Sequence, residues 1–166
     1  MEDVLRIFVG VREQIPAKLL LVGDGPDRNR MEKLARELDV HRDLRFLGKL
    51  EAVEEVLSVG DLFLMPSENE SFGLAALEAM ACEVPVVSTN AGGIPELNVH
   101  GVTGMLSEIG DVDDMVKNAL FVLDDGNLPR FKAAARARAE EFAVENIVPL
   151  YEECYRKAME AVSVAV

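Results

Sequence analysis

No apolar run in this 166-residue chain reaches the roughly 18 residues that a membrane-spanning helix needs. Cations are scarce: 17 Lys and Arg stand against 30 Asp and Glu, a net charge of −13, which argues against nucleic acid and anionic membranes as partners. Cysteine is scarce too. Cys82 and Cys154 have neither metal nor redox spacing, so reduced thiols and a cytoplasmic location are expected. The only histidines, His41 and His100, have no partners at ligand spacing, so no metal is expected. His41 sits in a polar turn facing solvent. His100 reads as a loop histidine bonded to backbone. There is no Gly-x-Ser-x-Gly and no P-loop, and hydrolase and NTPase readings lose ground accordingly. The start, Met-Glu-Asp-Val-Leu-Arg, has no signal-peptide character and opens directly in a helical pattern, as expected of a piece of a longer protein.

What is present is a regular alternation. Hydrophobic residues make up 49% of the chain and are spread along it, enough for one compact domain. Short continuous apolar runs at 17–22, 44–47, 61–65, 84–88 and 104–106 read as strands. Helical patterns at 2–14, 27–38, 51–59, 74–82, 111–123, 128–142 and 147–162 separate or follow them. Apolar strands alternating with helices predict an α/β, Rossmann-like, doubly wound parallel sheet with helices on both faces. Such sheets bind ligands beyond the carboxyl ends of their strands. The turns at Gly23, Gly48, Pro66 and Gly92 all follow strands and therefore share that edge.

The most informative stretch is Glu70-Ser-Phe-Gly-Leu-Ala-Ala-Leu-Glu78. Two carboxylates flank a glycine turn that opens an apolar helix. Glu78 is the only charge between Ser71 and Cys82, so it is expected to be largely buried and in need of partners. Its side chain leans toward the helix N-terminus, where N–H groups attract phosphate. Together these features sketch a ligand with both phosphate and hydroxyl groups. Glu68 and Asn69 crowd beside Glu70 at a strand's carboxyl end, an arrangement unlike a purely structural one.

Other motifs are weaker. Gly23-Asp24-Gly25-Pro26 lacks the third glycine of a dinucleotide fingerprint and reads, taken alone, as a tight strand–helix turn capped by Asp27 or Asp24. Gly92-Gly93-Ile-Pro-Glu96 permits close backbone approach and is evenly balanced between a ligand loop and a plain helix entry. An Asp111 cap is expected at the helix that follows.

Taken in order, Gly23-Asp-Gly-Pro26, Phe46-Leu-Gly48, Asp61, Pro66-Ser67, Glu70-Ser-Phe-Gly-Leu74, Glu78-Ala-Met-Ala, Pro85-Val, Gly92-Gly-Ile-Pro-Glu96 and His100-Gly-Val-Thr-Gly104 form a specific set. The chain resembles the C-terminal, nucleotide-sugar-binding half of retaining GT-B glycosyltransferases of family 4, over about residues 1–160, with 161–166 as a tail expected to fray. The resemblance implies that Glu70 acts at the donor sugar as the catalytic-site carboxylate and that Glu78 grips the ribose. The N–H groups of Phe72, Gly73 and Leu74, after Ser71, would meet sugar and diphosphate. Leu47, Gly48 and Lys49 would border the base, and Gly23, Asp24 and Gly25 would line the same edge. It implies a UDP-sugar donor, UDP-N-acetylglucosamine or UDP-glucose, with no metal or other cofactor.

The resemblance also implies an N-terminal acceptor domain, absent from this chain, together with Arg and Lys diphosphate clamps that precede the first helix. The fragment is therefore expected to fold and bind donor weakly without turnover. The helix from Ile147 is expected to cross to the absent domain, leaving Ile147, Val148, Tyr151 and Tyr155 as an apolar strip. One departure is Glu83, where the family usually has glycine. A left-handed conformation there costs on the order of 1 kcal/mol. Two alternatives stay open. One is half of a GT-B UDP-N-acetylglucosamine epimerase, which would give the 2-epimer without an acceptor. The other is a non-catalytic nucleotide-binding or regulatory domain, whose ligand binding would ignore Glu78→Ala.

Overall fold

The computed structural model describes residues 2–164, with side chains over 2–160. Residues 165–166 of the expected frayed tail lie outside the described residues. In chain order the elements are α1 (Glu2–Arg12), β1 (Leu19–Val22), α2 (Arg28–Glu37), β2 (Leu44–Gly48), α3 (Val53–Leu57) and β3 (Phe63–Met65). Then follow α4 (Leu74–Ala81), β4 (Val86–Thr89), α5 (Ile94–Leu97), β5 (Gly104–Ser107), α6 (Val112–Leu123), α7 (Leu128–Glu141) and α8 (Val144–Val164).

Every strand pairing is parallel, as the helix between each pair of strands requires. The sheet comes in two pieces: β1 pairs with β2, and β3, β4 and β5 pair in that order. Register runs Leu20 to Arg45 in the first piece, and Leu64 to Val87 to Met105 in the second.

Period-two alternation sends neighbouring residues of β4 to different cores. Val86 is buried with Ala76, Ala79 and Met80 of α4 and Ala135 and Ala139 of α7. Val87 is buried on the opposite face with Ile7 and Val11 of α1 and Met115, Ala119 and Val122 of α6. A third cluster sets Leu5 and Phe8 of α1 and Met31 and Ala35 of α2 over β1 and β2, with Leu44 among them. Helices thus cover both faces of the β3–β4–β5 piece, in the Rossmann-like arrangement, and one face of β1 and β2.

Local chemistry explains the element ends. Asp111 caps α6, its Oδ1 accepting the Asp114 N–H at 2.9 Å. Glu83, just past α4, has φ +63°, the left-handed conformation that a glycine would adopt without strain. At α2 the expected caps do not form: Asp27 makes no side-chain cap, and Asp24 instead accepts the N–H of Gly25 at 3.1 Å. The turn, rather than the helix start, takes that carboxylate. On α8, Val148, Tyr151 and Tyr155 are exposed and Ile147 is half-buried, so the apolar strip lies open.

Candidate functional site

All the loops of interest leave the carboxyl ends of parallel strands. After β1 and β2, Gly23 (φ +117°) and Gly48 (φ +71°) meet, the Gly23 N–H donating to the Gly48 carbonyl at 2.8 Å. A Cβ at Gly23 or Gly25 would meet nothing within 4 Å, so this turn faces open space. Leu47 and Lys49 flank it, both exposed. Lys49 makes no ion pair among the described residues. Arg28, at the start of α2, lies 5.7 Å from the Phe46 ring centre and ion-pairs with Glu32 at 3.1 Å. Its guanidinium reaches to 3.8 Å from where a Gly48 Cβ would stand. It is a cation at this edge that sequence reasoning missed. The signal lay in Arg28 opening the helix directly after the glycine turn.

The second group gathers after β3 and β4. The Ser67 carbonyl accepts the Thr89 hydroxyl, which fixes the strand-exit turn. Glu70 is half-buried, its Oε1 accepting the Ser71 N–H at 3.0 Å. Its own carbonyl accepts the Gly93 N–H at 3.3 Å. The two glycines lie flat against this loop. A Cβ on Gly92 would stand 1.7 Å from the Glu70 carbonyl oxygen, and one on Gly93 would stand 2.2 Å from that of Ser71. Gly92 and Gly93 thus pack backbone to backbone against the Glu70 loop.

Gly73 (φ +96°) then turns the chain into α4, whose first turn has no side-chain cap. The N–H groups at that helix start are free for an acceptor from outside. Phe72 packs edge-on against Phe142 at 5.4 Å between ring centres. Arg138 of α7 stacks on Phe142 at 4.8 Å and donates to the backbone carbonyls of Glu96 and Leu97. One guanidinium of α7 thereby braces both loops from behind.

Glu78 departs from expectation. It is exposed, and among the described residues it has no hydrogen-bond or ion-pair partner. α4 is apolar all round, which reads as a helix buried all round. In fact it buries Ala76, Ala79 and Met80 and leaves Leu74 (66% exposed), Ala75 and Glu78 on an uncovered face. The carboxylate is available one turn below an open helix N-terminus. His100 behaves as expected, its Nδ1 accepting the Leu106 N–H at 3.0 Å. Among the described residues no cluster of side chains is fit to hold a metal ion, and no helix is long and apolar enough to cross a membrane.

Comparison with known proteins agrees with this layout. Residues 1–140 match the family model described as glycosyl transferases group 1. The chain is 44% identical over 158 residues to N-acetyl-alpha-D-glucosaminyl L-malate synthase of Bacillus anthracis, covering 93% of this chain and 41% of that protein. It is 36% identical over 149 residues to a sulfoquinovosyl transferase of Arabidopsis thaliana, covering 86% of this chain and 28% of that one. The chain therefore spans well under half the length of these relatives. Among solved structures it is similar to Anabaena HepE in complex with UDP, with a TM-score of 0.84, 25% identity, and 95% and 45% of the two chains covered. It is similar to a sucrose-phosphate synthase of Thermosynechococcus elongatus, with a TM-score of 0.82, 29% identity, and 95% and 42% covered.

Proposed function

The chain belongs to the glycosyl transferases group 1 family, and from that premise we propose that it is the nucleotide-sugar-binding domain of a retaining GT-B hexosyltransferase. It takes a UDP-sugar, UDP-N-acetylglucosamine or UDP-glucose, and the longer protein transfers the sugar to an acceptor hydroxyl in the cytoplasm. The observation that carries this is the juxtaposition at one sheet edge of Glu70, the uncapped start of α4 and an exposed, unpartnered Glu78. Phosphate is served by the helix start and hydroxyls by the carboxylates.

In this reading the N–H groups of Phe72, Gly73 and Leu74 meet the sugar and diphosphate. Glu70 bonds the donor sugar's hydroxyls from a loop held by Gly92 and Gly93. Glu78 takes the ribose hydroxyls, with Leu74 beneath the nucleoside. Leu47, Gly48 and Lys49 border the base, and the Gly23-Asp24-Gly25 turn closes the same edge. The complex of Anabaena HepE with UDP supports the choice of nucleotide, and the Bacillus relative's name supports an N-acetylglucosaminyl donor.

The chemistry is departure of the diphosphate with retention at the anomeric carbon. The acceptor oxygen attacks the face the diphosphate leaves, and its proton passes to a departing phosphate oxygen. The site's principal task is to stabilise negative charge on the leaving group. No metal is needed for these steps as proposed. With a net charge of −13, the domain's own field opposes an anionic donor, so cations from outside residues 1–166 complete the site and this chain alone binds without turnover.

Titration calorimetry with UDP, GDP and ADP tests the reading. UDP-selective binding that disappears in Glu78→Ala is expected. Equal binding of all three nucleotides, or binding indifferent to that substitution, would refute it.

A further inference from the structure

The one-turn helix α5 presses on the Glu70–Gly73 loop from both of its ends. Ahead of it, Gly93 donates its N–H to the Glu70 carbonyl at 3.3 Å, and an added Cβ on Gly93 would stand 3.4 Å from the Phe72 Cα. At its far end, fully buried Leu97 brings its Cδ2 to 3.7 Å from where a Gly73 Cβ would stand. Gly73 is the left-handed residue that opens α4. The place of α5 therefore decides the place of Glu70 and of the first N–H groups of α4. A single turn has little helical stability of its own, and its last carbonyls have no partner within it.

Arg138 supplies what α5 lacks. Its Nε donates to the Leu97 carbonyl at 3.2 Å and its Nη2 to the Glu96 carbonyl. A cation across the last carbonyls of a helix both satisfies them and suits the negative end of the dipole. The remaining nitrogen, Nη1, ion-pairs with Glu141 one turn along α7, which fixes the plane of the fork. The flat face of the guanidinium lies 4.8 Å from the centre of the Phe142 ring, and Phe142 meets Phe72 edge-on at 5.4 Å. The helix that carries this guanidinium is itself tied to α4. Ala135 and Ala139, on the same face of α7 as Arg138 and Phe142, are buried with Ala76, Ala79 and Met80 of α4. Helix α7 thus holds α4 through small apolar contacts and α5 through one guanidinium.

We propose that Arg138 is a positioning residue for the donor site. It acts through α5 and Phe72, and it sets Glu70 and the N–H groups of Gly73 and Leu74 at the spacing that takes a sugar hydroxyl and a diphosphate together. The proposal rests on the reading of the Glu70–Glu78 stretch as that site. Arginine suits the task because its planar fork bonds two carbonyls at once while its face stacks on a ring, which a lysine ammonium does not do. Arg130 gives the contrast on the same helix. It lies 4.2 Å from the centre of the Phe131 ring and donates to the Gly101 carbonyl at 3.3 Å, in a loop at the amino edge of the sheet. It has the same chemistry and no route to Glu70. Misplacement by about 1 Å of groups that act on one ligand costs up to roughly a hundredfold, so a shift of the loop by a fraction of that distance costs roughly tenfold.

Amide NMR of the full 166-residue chain without ligand reads the position of the loop, and calorimetry with UDP reads its use. Arg138→Met keeps most of the stem and loses the fork. In it the amides of Phe72, Gly73 and Gly93 should shift, and the Gly93 amide should exchange with solvent roughly tenfold faster. UDP affinity should fall roughly tenfold, measured well below the melting temperature of either form. Arg130→Met should leave these amides and the affinity at the parent's values. Phe142→Leu cuts only the ring route, so the Phe72 amide should shift while Gly93 stays protected, and this variant decides the matter if Arg138→Met does not fold. Unmoved loop amides in Arg138→Met would overturn the inference. So would an equal response to Arg130→Met, loss of Gly93 protection in Phe142→Leu, or shifted amides with unchanged UDP affinity. A parent chain that ignores UDP refutes the donor-site reading, and the amides then still report whether Arg138 sets the loop.

Discussion

Gly92 and Glu70 sit backbone to backbone, so close that a Cβ on Gly92 would overlap the Glu70 carbonyl oxygen at 1.7 Å. Gly92 also has φ +54°, a conformation in which a side chain costs about 1 kcal/mol before any contact is counted. Gly92→Ala is therefore expected to push the Glu70 loop away and to lower both the melting temperature and UDP affinity. Gly25→Ala, whose Cβ would enter open space, should leave the melting temperature unchanged. Thermal melts of the two variants side by side check this. Equal melting temperatures would show that the loops are not locked together.

Glu83 is strained where Gly92 is relaxed. It holds φ +63° immediately after α4, with its N–H donating to the Met80 carbonyl at 3.0 Å. Glycine at that position relieves the steric cost and removes one of many negative charges. Glu83→Gly should stabilise the chain by about 0.5–1 kcal/mol. The measurement is the urea midpoint at constant slope, and a downward shift would contradict the argument.

Most elements were legible because continuous apolar runs of three to six residues and helical repeats of nine or more are distinct patterns, whereas α5, a single turn, shows only as a possible helix entry at Pro95. The Asp111 cap and the backbone-bonded His100 were legible too, because each depends on neighbours in sequence. What could not be read depends on distant partners. Arg138 braces the loops around Phe72 and Glu96 across more than forty residues. The pressing of Gly92 onto Glu70 depends on two loops from different strands. The exposure of Glu78 was misjudged for a related reason. An apolar helix reads as one wrapped by its own chain, whereas one face of α4 is left uncovered by residues 2–160.

That uncovered face makes the cost of altering Glu78 unusual. An exposed carboxylate with no partner contributes little to stability, and alanine is the better helix former. Glu78→Ala should leave stability within ~0.5 kcal/mol of the parent. UDP affinity should fall roughly ten- to a hundredfold, the effect of losing hydrogen bonds to a charged group worth about 1.5–3 kcal/mol. Parallel melts and calorimetry separate the two. A large loss of stability with unchanged affinity would return Glu78 to a purely structural role.

At the opposite end of the strands, Asp43 supplies a pH dependence that owes nothing to ligand. Hydrogen bonds from Lys18 and, next in importance, from Arg12 hold its carboxyl below the ordinary value of 3.8, against a smaller opposing effect of burial. Arg12 sits at the end of α1, Lys18 just before β1 and Asp43 just before β2, so one carboxylate ties three elements at the amino edge. Because the folded state binds this proton less readily than the unfolded chain, the ionised form favours folding. Its stabilisation is fully present above about pH 5 and is lost as pH falls through the unfolded and then the folded value. Asp43→Asn removes that dependence. The stability of the parent should decline more steeply than that of the variant below pH 4, and the gap between them should be constant from pH 5 to 7. Urea titrations at half-unit steps from pH 2.5 to 7 check this. Parallel curves over the whole range would mean that the Lys18–Asp43–Arg12 cluster does not form in solution.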